Sequence, residues 1–280
     1  MASTGYLAMR AYYHWRLLGG RLRGRRDQWR GVRILGYHRL SEANESLSVS
    51  PILFRRQMEM VLESGAKPIS LDRALDLLGS EIDDRYVCVT FDDGYLDNVE
   101  HGEPVLRVLG IPATIFLPTG IIDRRVGYFW LDTPPPALSW EEIGRVSRRG
   151  VIRFQSHGDT HAWLPEVSHA DALREFTESK ALIEQHTGSA VTSIAFPGGL
   201  YGPREQRLVR QAGYRAGLTT DPGVNTGAQD PTALKRTLIY SGDGPSDFAA
   251  KLSGMLDGPA RLRNLLYRRF GPSRHSRAPQ

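Results

Sequence analysis

Short apolar runs separated by amphipathic stretches cover most of the chain. The apolar runs lie at residues 32–37, 87–91, 113–117, 151–154, 193–196, 216–219 and 234–239. Short runs of this kind, bounded by glycine or polar residues, are typical of strands that are buried on both faces. Between them, apolar residues recur at helical spacing, which indicates helices that cover the sheet.

Capping residues mark the beginnings of several helices. Ser50 stands before Pro51, Ser70 before a helix that reaches Leu78, and Ser139 before a helix at 140–148. A serine at this position accepts a hydrogen bond from a free N–H of the first turn, and proline is favoured directly after it. Further helices are predicted at residues 98–109, 170–187 and 204–212.

The alternation of strands and helices predicts a parallel α/β fold, and about seven strands fit a barrel. Residues 32–255 contain no internal repeat or linker, so we interpret them as one domain, preceded by an extension (1–31) and followed by a tail (256–280). Functional side chains of such barrels lie beyond the C-terminal ends of the strands. The proline- and aromatic-rich loop at 118–139 is long enough to form one wall of a cleft there.

The composition is that of a globular protein, with 40% hydrophobic and 24% charged residues. The single cysteine, Cys88, excludes a disulfide framework within the chain, and its place in a predicted strand favours an inert thiol. No apolar run approaches the roughly 18 residues of a membrane span, and the first apolar stretch lacks the charge order of a signal peptide. We therefore expect a cytoplasmic protein, with peripheral contact to a membrane as an option.

The net charge of +5 is unevenly distributed along the chain. Residues 1–33 hold eight arginines and one acidic residue, residues 261–280 hold six arginines and no acidic residue, and the body between them is acidic. The aromatic and basic stretch at 4–18 is typical of a helix on an anionic membrane surface, although a solvated or packed extension also fits. Nucleic acid is a less suitable partner because no nucleic-acid-binding motif accompanies the arginines.

Two adjacent carboxylates, Asp92 and Asp93, end the apolar run at 87–91. Neighbouring anions raise each other's pKa unless a cation separates their roles. A metal ion bound by one would leave the other ionised as a base. His157 and His161 stand four positions apart and would share one face of a helical turn. Two histidines and a carboxylate suit zinc or another late divalent ion, and the alternative is a pair of ordinary surface or capping histidines.

The order of three motifs resembles that of a known family. T-F-D-D-G-Y (90–95), S-H-G-D-T-H (156–161) and F-P-G-G (196–199) are similar to the motifs of the polysaccharide deacetylase (NodB-homology) family, carbohydrate esterase family 4. The resemblance covers residues 32–240 and implies a distorted (β/α) barrel that removes N-acetyl or O-acetyl groups from sugars. It also implies that Asp93, His157 and His161 bind one divalent ion, zinc or else cobalt or nickel, and that Asp92 is the general base.

Several positions depart from the family pattern. The N–H that holds the oxyanion belongs to an aromatic residue in the family, whereas Gly198 stands there in this chain, with Tyr201 as the candidate for the missing ring. The histidine of the family's L-x-H motif is absent, and the D-x-x-D-W motif is absent too. The Y-H-R motif around His38 instead resembles the circularly rearranged branch, so we expect His38 as the general acid. Ala195 occupies the place of an arginine that orients the base, and Arg236 is the expected replacement.

The resemblance implies an N-deacetylase acting on an N-acetylhexosamine-containing polysaccharide or glycolipid. Two alternatives stay open: the same fold hydrolysing a small non-sugar amide or cyclic imide, and a non-catalytic, membrane-associated protein that binds glycans. Asp159 is expected either to accept a hydrogen bond from a metal-bound imidazole or to cap its own turn. The glycan, the native metal and the oligomeric state do not follow from these motifs.

Overall fold

The structure, a computed structural model, describes residues 29–258. The aromatic and basic stretch at 4–18 and the arginines of 261–280 lie outside these residues, as do most of the predicted extension (1–31) and tail (256–280). Within residues 29–258, no helix is long and apolar enough to cross a membrane.

A curled sheet of mostly parallel strands forms the centre of the described chain, and helices cover it. In chain order the strands are β1 (Gly31–Tyr37), β2 (Arg39–Leu40), β3 (Ser48–Val49), β4 (Lys67–Pro68), β5 (Arg85–Phe91), β6 (Ala113–Leu117), β7 (Ile152–Ser156), β8 (Ser193–Ala195), β9 (Ala216–Leu218), β10 (Val224–Asn225) and β11 (Thr237–Leu238). The α-helices are α1 (Pro51–Glu63), α2 (Leu71–Leu77), α3 (Glu103–Leu109), α4 (Thr119–Ile122), α5 (Trp140–Ser147), α6 (His169–Thr187), α7 (Pro203–Gln211) and α8 (Pro245–Leu252).

The sheet nearly closes on itself. Its order is β10–β1–β5–β6–β7–β8–β9, parallel except for β10, which runs antiparallel to the first half of β1. The second half of β1 pairs in parallel with β11, and a bridge between Leu218 and Leu234 ties β9 to the segment that enters β11. Residues 234–238 therefore connect the two edges of the sheet. This confirms the predicted distorted (β/α) barrel with about seven parallel strands.

Two predicted elements are shorter or less regular than expected. The strand predicted at 234–239 shrinks to β11, because the N–H of Arg236 binds the Asp221 carbonyl (2.9 Å) instead of a neighbouring strand. The helix predicted at 98–109 begins as a π-helix (Asn98–Gly102) and continues as α3. Pro104 lies at this junction and has no N–H to donate to the preceding turn, which interrupts the α-helical register.

The predicted helix caps are confirmed. Ser50 and Ser70 each accept a hydrogen bond of 3.2 Å from the N–H three residues later. Ser139 and Glu142 form a reciprocal capping box at the start of α5. Cys88 is buried in β5, as expected. The caps fix where these helices begin, and with them the lengths of the loops at the C-terminal edge of the barrel.

Candidate active site and metal centre

The candidate residues collect where β1, β5 and β7 end. Tyr37 pairs with Phe91 at the ends of β1 and β5, so His38 and the two aspartates leave the sheet at the same level. His157 directly follows β7, and its N–H binds the carbonyl of Leu117 at the end of β6 (2.9 Å). Residues that are far apart in the sequence are thus brought to one edge of the barrel, where such folds carry their sites.

Asp92 and Asp93 turn towards different partners. Asp93 has a φ of 71°, in the left-handed region that few residues other than glycine, asparagine and aspartate adopt. Asp93 Oδ1 lies 3.4 Å from His157 Nε2 and 3.5 Å from His161 Nε2. Asp92 instead pairs with Arg236. The side chains of both aspartates, both histidines and this arginine are buried. The backbone turn therefore separates two carboxylates that are adjacent in the sequence.

The distances around Asp93 fit a shared metal ion. They exceed the length of an ordinary N–H···O hydrogen bond, which is about 2.7–3.2 Å. A tetrahedral zinc ion with bonds of about 2.0–2.2 Å keeps its ligand atoms roughly 3.3–3.6 Å apart. The ligand atoms of Asp93, His157 and His161 all lie within 4.8 Å of one another. The three side chains form a candidate metal site.

The two histidines are held differently. His157 Nδ1 lies 2.8 Å from the carbonyl of Ala195. Because a carbonyl can only accept a hydrogen bond, Nδ1 carries the proton and Nε2 keeps its lone pair for an ion. His161 Nδ1 is buried and has no hydrogen-bond partner among residues 29–258. In both rings Nε2 is the nitrogen nearest Asp93, which is the donor set that zinc prefers.

Burial and neighbouring charges set the protonation of Asp93, His157 and His161. Burial alone would lower the pKa of His157, but the carboxylates of Asp92 and Asp93 outweigh it and raise that pKa. Burial, together with His157, lowers the pKa of His161 to about 3. Burial would raise the pKa of Asp93, yet the neighbouring imidazoles hold it below its ordinary value. A neutral His161 and an ionised Asp93 are ready to bind a cation, and the raised pKa of His157 means that cation binding competes with protonation of its Nε2.

The segment between the histidines is a loop, so the predicted helical turn is wrong. His161 has a φ of 60°, and residues 157–161 contain no helix. Glu175 of α6 holds the loop, because its carboxylate accepts hydrogen bonds from the N–H of Asp159 (2.7 Å) and from the N–H (2.9 Å) and hydroxyl of Thr160. The histidine rings meet at a centroid distance of 4.9 Å through this loop, and not through helical spacing.

Asp159 has a role that differs from both of its predicted interpretations. Its carboxylate accepts a hydrogen bond from Thr119 Oγ1 (2.6 Å) and two from Arg125, at 2.6 and 2.9 Å. Asp159 therefore ties the histidine loop to α4 and the turn that follows it, instead of binding an imidazole or capping its own turn.

Asp92 forms a buried, bidentate ion pair with Arg236. The terminal nitrogens of Arg236 donate to Asp92 Oδ1 and Oδ2 at 2.6 and 2.8 Å, and its Nε donates to the carbonyl of Thr219 (2.9 Å). Burial would raise the pKa of Asp92, but Arg236 and the nearby histidines outweigh it, so the pKa is lowered. Asp92 is thus both ionised at neutral pH and fixed in orientation.

Removing Arg236 should strongly destabilise the protein. Loss of one partner of a buried pair leaves an uncompensated charge, which costs about 3–5 kcal/mol. We expect Arg236→Met to lower the free energy of unfolding by that amount in urea denaturation. Arg215→Met is the matched control, because Arg215 pairs with Asp76 at 2.8 Å with about half of each side chain exposed; it should change the free energy by less than about 1 kcal/mol. Equal effects of the two substitutions would contradict the importance of the buried pair.

His38 lies beside Asp92 and is oriented through its backbone. His38 Nε2 is 3.9 Å from Asp92 Oδ2, and 14% of the His38 side chain is exposed. Asn98, at the start of the π-helix, donates a hydrogen bond to the His38 carbonyl (2.6 Å). The imidazole is therefore held near Asp92 and stays partly open to the outside.

Gly198 and Tyr201 lie in the turn after β8. Gly198 is exposed and has a φ of 60°, which a glycine adopts without strain. The two hydrogen bonds of this turn are donated by the next two N–H groups, so neither uses the N–H of Gly198. Tyr201 stacks on Phe196 (5.3 Å, 9°) and donates its hydroxyl to Asp221 Oδ2 (2.9 Å). These contacts pack the Tyr201 ring against the end of β8.

Aromatic residues of the loop at 118–139 surround the candidate ligands. Trp130 lies over His161 in a tilted arrangement (4.1 Å, 32°), and the hydroxyl of Tyr128 donates to the carbonyl of Asp93 (3.0 Å). A cavity of about 820 Å³ lies next to this loop. Its lining is mostly carbon and includes Val126, Tyr128, Phe129, Thr160, Trp163 and Val167.

Comparisons with known proteins agree with the function that the geometry of the site indicates. A family model described as polysaccharide deacetylase matches residues 79–217. The chain is 30% identical over 224 residues to YxkH of Bacillus subtilis (strain 168), which is named for the same family; the match covers 79% of this chain and 76% of YxkH. The chain belongs to the polysaccharide deacetylase family.

Two further relatives define what this polysaccharide deacetylase is similar to. It is 24% identical over 229 residues to poly-β-1,6-N-acetyl-D-glucosamine N-deacetylase of Staphylococcus aureus (strain MSSA476), covering 73% of this chain and 77% of that protein. The solved structure of IcaB from Ammonifex degensii is 25% identical, with a TM-score of 0.71 over 80% of this chain and 98% of IcaB. The predicted enzyme class, a carbohydrate deacetylase with the NodB-homology fold, is confirmed.

Proposed function

We propose that this polysaccharide deacetylase removes N-acetyl groups from an N-acetylhexosamine-containing glycan in a metal-dependent reaction. The observation that carries the proposal is the separation of the adjacent aspartates. Asp93 faces two imidazoles, whereas Asp92 pairs with Arg236. An ion-binding carboxylate next to an ionised base is the arrangement that hydrolysis by a bound water requires.

Asp93, His157 and His161 would hold one divalent ion. Zinc fits this donor set best, and cobalt and nickel share the preference for imidazole nitrogen. When bound, such an ion polarises the acetyl carbonyl and lowers the pKa of water. The His157 Nδ1–H···O=C bond to Ala195 would keep Nε2 aimed at the ion throughout.

Asp92 is the general base in this proposal. Its lowered pKa keeps it ionised at neutral pH. Each carboxylate oxygen has two lone pairs, and Arg236 uses one on each, so a lone pair remains to take a proton from water. Arg236 acts through Asp92 by fixing the plane of its carboxylate.

His38 and Gly198 complete the proposal on the substrate side. His38 Nε2, close to Asp92 and partly exposed, would donate a proton to the leaving amine. The N–H of Gly198, which the hydrogen bonds of its turn do not use, would donate to the developing oxyanion. Tyr201 would border this position from its stack on Phe196.

Replacing His38 by alanine should lower kcat by about 10²–10⁴, the usual contribution of a positioned acid. The variant should bind the metal ion as tightly as the wild type, because His38 is not one of the three candidate ligands. Steady-state acetate release and metal titration measure the two quantities. A near-normal kcat would remove His38 as the acid.

The substrate class rests on the relatives and on the cavity. Because the S. aureus relative is named for poly-β-1,6-N-acetyl-D-glucosamine, we propose a polymer of N-acetylglucosamine. A lipid-linked N-acetylhexosamine is the second candidate, supported by the mostly carbon-lined cavity beside the histidine loop. Arg125 borders that cavity, and Asp159 binds one N–H of each of its terminal nitrogens, which fixes the guanidinium in place.

Acetate release from defined substrates tests the proposal. Zinc-loaded protein should release acetate from β-1,6-linked N-acetylglucosamine oligomers, and Asp92→Asn protein should release it about 10⁴-fold more slowly. Methyl and dodecyl glycosides of N-acetylglucosamine form a matched pair, and a higher kcat/KM for the dodecyl compound would favour the lipid-linked candidate. O-acetylated sugars and a cyclic imide complete the set. Turnover of the imide alone would favour the small-amide alternative, and no turnover at all with a bound metal would overturn the proposal.

A further inference from the structure

We infer that Trp130 is a positioning residue for His161, and that its indole face replaces the hydrogen bond that usually orients a metal-binding imidazole. The inference rests on the proposed function, because it takes Asp93, His157 and His161 to be metal ligands. Trp130 would hold the His161 ring in its binding orientation before an ion arrives.

The contrast between the two histidines motivates the inference. The imidazole of His157 is fixed by its Nδ1–H···O=C bond to Ala195, the usual outer partner of a metal-binding histidine. His161 has no such partner: its Nδ1 is buried and makes no hydrogen bond to any residue from 29 to 258. It also lies in a loop with a φ of 60°, outside any helix or strand. Its ring orientation must be fixed in another way.

Aromatic rings enclose the imidazole of His161. The Trp130 ring lies over its face at a centroid distance of 4.1 Å and an angle of 32°. Phe129 approaches at 6.1 Å and 62°, closer to edge-on. The imidazole can therefore tilt out of its present plane, in which Nε2 faces Asp93, only by displacing the indole. A metal-bound imidazole is electron-poor, and the electron-rich face of an indole is a favourable neighbour for it.

Trp130 is itself held by an aromatic cluster of Tyr95, Tyr128 and Trp130. The indole N–H donates to the hydroxyl of Tyr95 (3.3 Å), and the indole meets Tyr128 edge-on (5.4 Å, 83°). Tyr95 and Tyr128 stack on each other at 4.8 Å. The Tyr128 hydroxyl donates to the carbonyl of Asp93 (3.0 Å). The aromatic cluster thus contacts two of the three candidate ligands: the imidazole ring of His161 and the backbone carbonyl of Asp93.

The chain offers a matched control for the Trp130–His161 stack. Trp140 stacks on His186 at the same centroid distance, 4.1 Å, and at an angle of 7°. Neither Trp140 nor His186 belongs to the candidate metal site. Trp140→Leu therefore removes a tryptophan–histidine stack without removing a contact to a candidate ligand.

Metal affinity is the decisive measurement, since it is independent of activity. We expect Trp130→Leu to raise the Kd for Zn²⁺ by about 10–100-fold, as loss of an outer partner does, in competition with a chromophoric chelator. Trp130→Phe, which keeps an aromatic face, should recover part of the affinity. Trp140→Leu should leave the Kd within about twofold of the wild type. If Trp130 only stabilised the fold, Trp130→Leu would lower the unfolding temperature of the metal-free protein and leave the Kd unchanged, and that result would overturn the inference.

Fluorescence gives a second test, which begins with the wild type and compares two conservative tryptophan variants. Binding of Co²⁺ to the wild type should quench tryptophan emission, because the Trp130 indole lies against a candidate ligand. Most of the quenched component should be lost in Trp130→Phe and retained in Trp140→Phe, and what remains in Trp130→Phe would come from Trp163, two residues after His161. Equal quenching in both variants would contradict the inference. A wild-type protein that binds neither Zn²⁺ nor Co²⁺ would instead refute the proposed function, so the two failures are distinguishable.

Discussion

Replacing Asp92 by asparagine should lower kcat by about 10⁴, the upper end of what a positioned base contributes, while one metal ion per chain stays bound. Asparagine keeps the size of the side chain but cannot take a proton from water. It also offers Arg236 one carbonyl oxygen where Asp92 offers two carboxylate oxygens, so the orientation of the group is lost along with its basicity. Acetate release and the metal content of the purified protein measure the two effects.

The ion pair with Arg236 complicates the Asp92 experiment and dictates its control. Asp92→Asn leaves the buried guanidinium of Arg236 without its counter-charge, so a loss of stability of the same order as that of Arg236→Met, about 3–5 kcal/mol, is expected. The activity should therefore be measured well below the unfolding temperature of the variant. Asp76→Asn, at an exposed ion pair, should keep full activity. Loss of the metal from Asp92→Asn would show that the roles of Asp92 and Asp93 are reversed.

The fold followed from patterns that act over short distances. Strands buried on both faces need continuous apolar runs, and helices that cover them need apolar residues at helical spacing. Caps such as Ser50 and Ser139 satisfy free N–H groups within the same turn, so their positions could be read directly from the sequence. The predicted strand at 234–239 is longer than the observed one, because the N–H of Arg236 binds the carbonyl of Asp221, which only folding brings near.

The candidate site was only partly predictable for the same reason. The trio of Asp93, His157 and His161 was found from its motifs, but the helical turn invoked to join the histidines does not exist. Glu175, which holds their loop, was missed. Its signal was a carboxylate beside Phe176 on the buried face of α6, a position where an unpaired charge would be costly.

The aromatic residues around the site could not be assigned from the sequence. Trp130 lies in an irregular loop, and no periodicity indicates which ring it would meet. By contrast, Arg236 could be proposed as the partner of Asp92 from the family resemblance, because the arginine that orients the base is replaced by Ala195 in this chain. The contact between Arg236 and Asp92 forms because β11 pairs with β1, which brings the end of the domain back to its first strand.

Replacing Asp93 by asparagine should remove the metal ion and the activity together. Asparagine tolerates the left-handed backbone of this position, so the turn that separates the two aspartates should survive. The amide has no charge to neutralise a divalent ion, and the Kd should rise by more than the roughly 10–100-fold that loss of an outer partner costs. Chelator-treated wild type provides the comparison: added Zn²⁺ should restore its acetate release, whereas the variant should stay inactive at the same Zn²⁺ concentration. An Asp93→Asn protein that keeps both metal and activity would exclude Asp93 as a ligand.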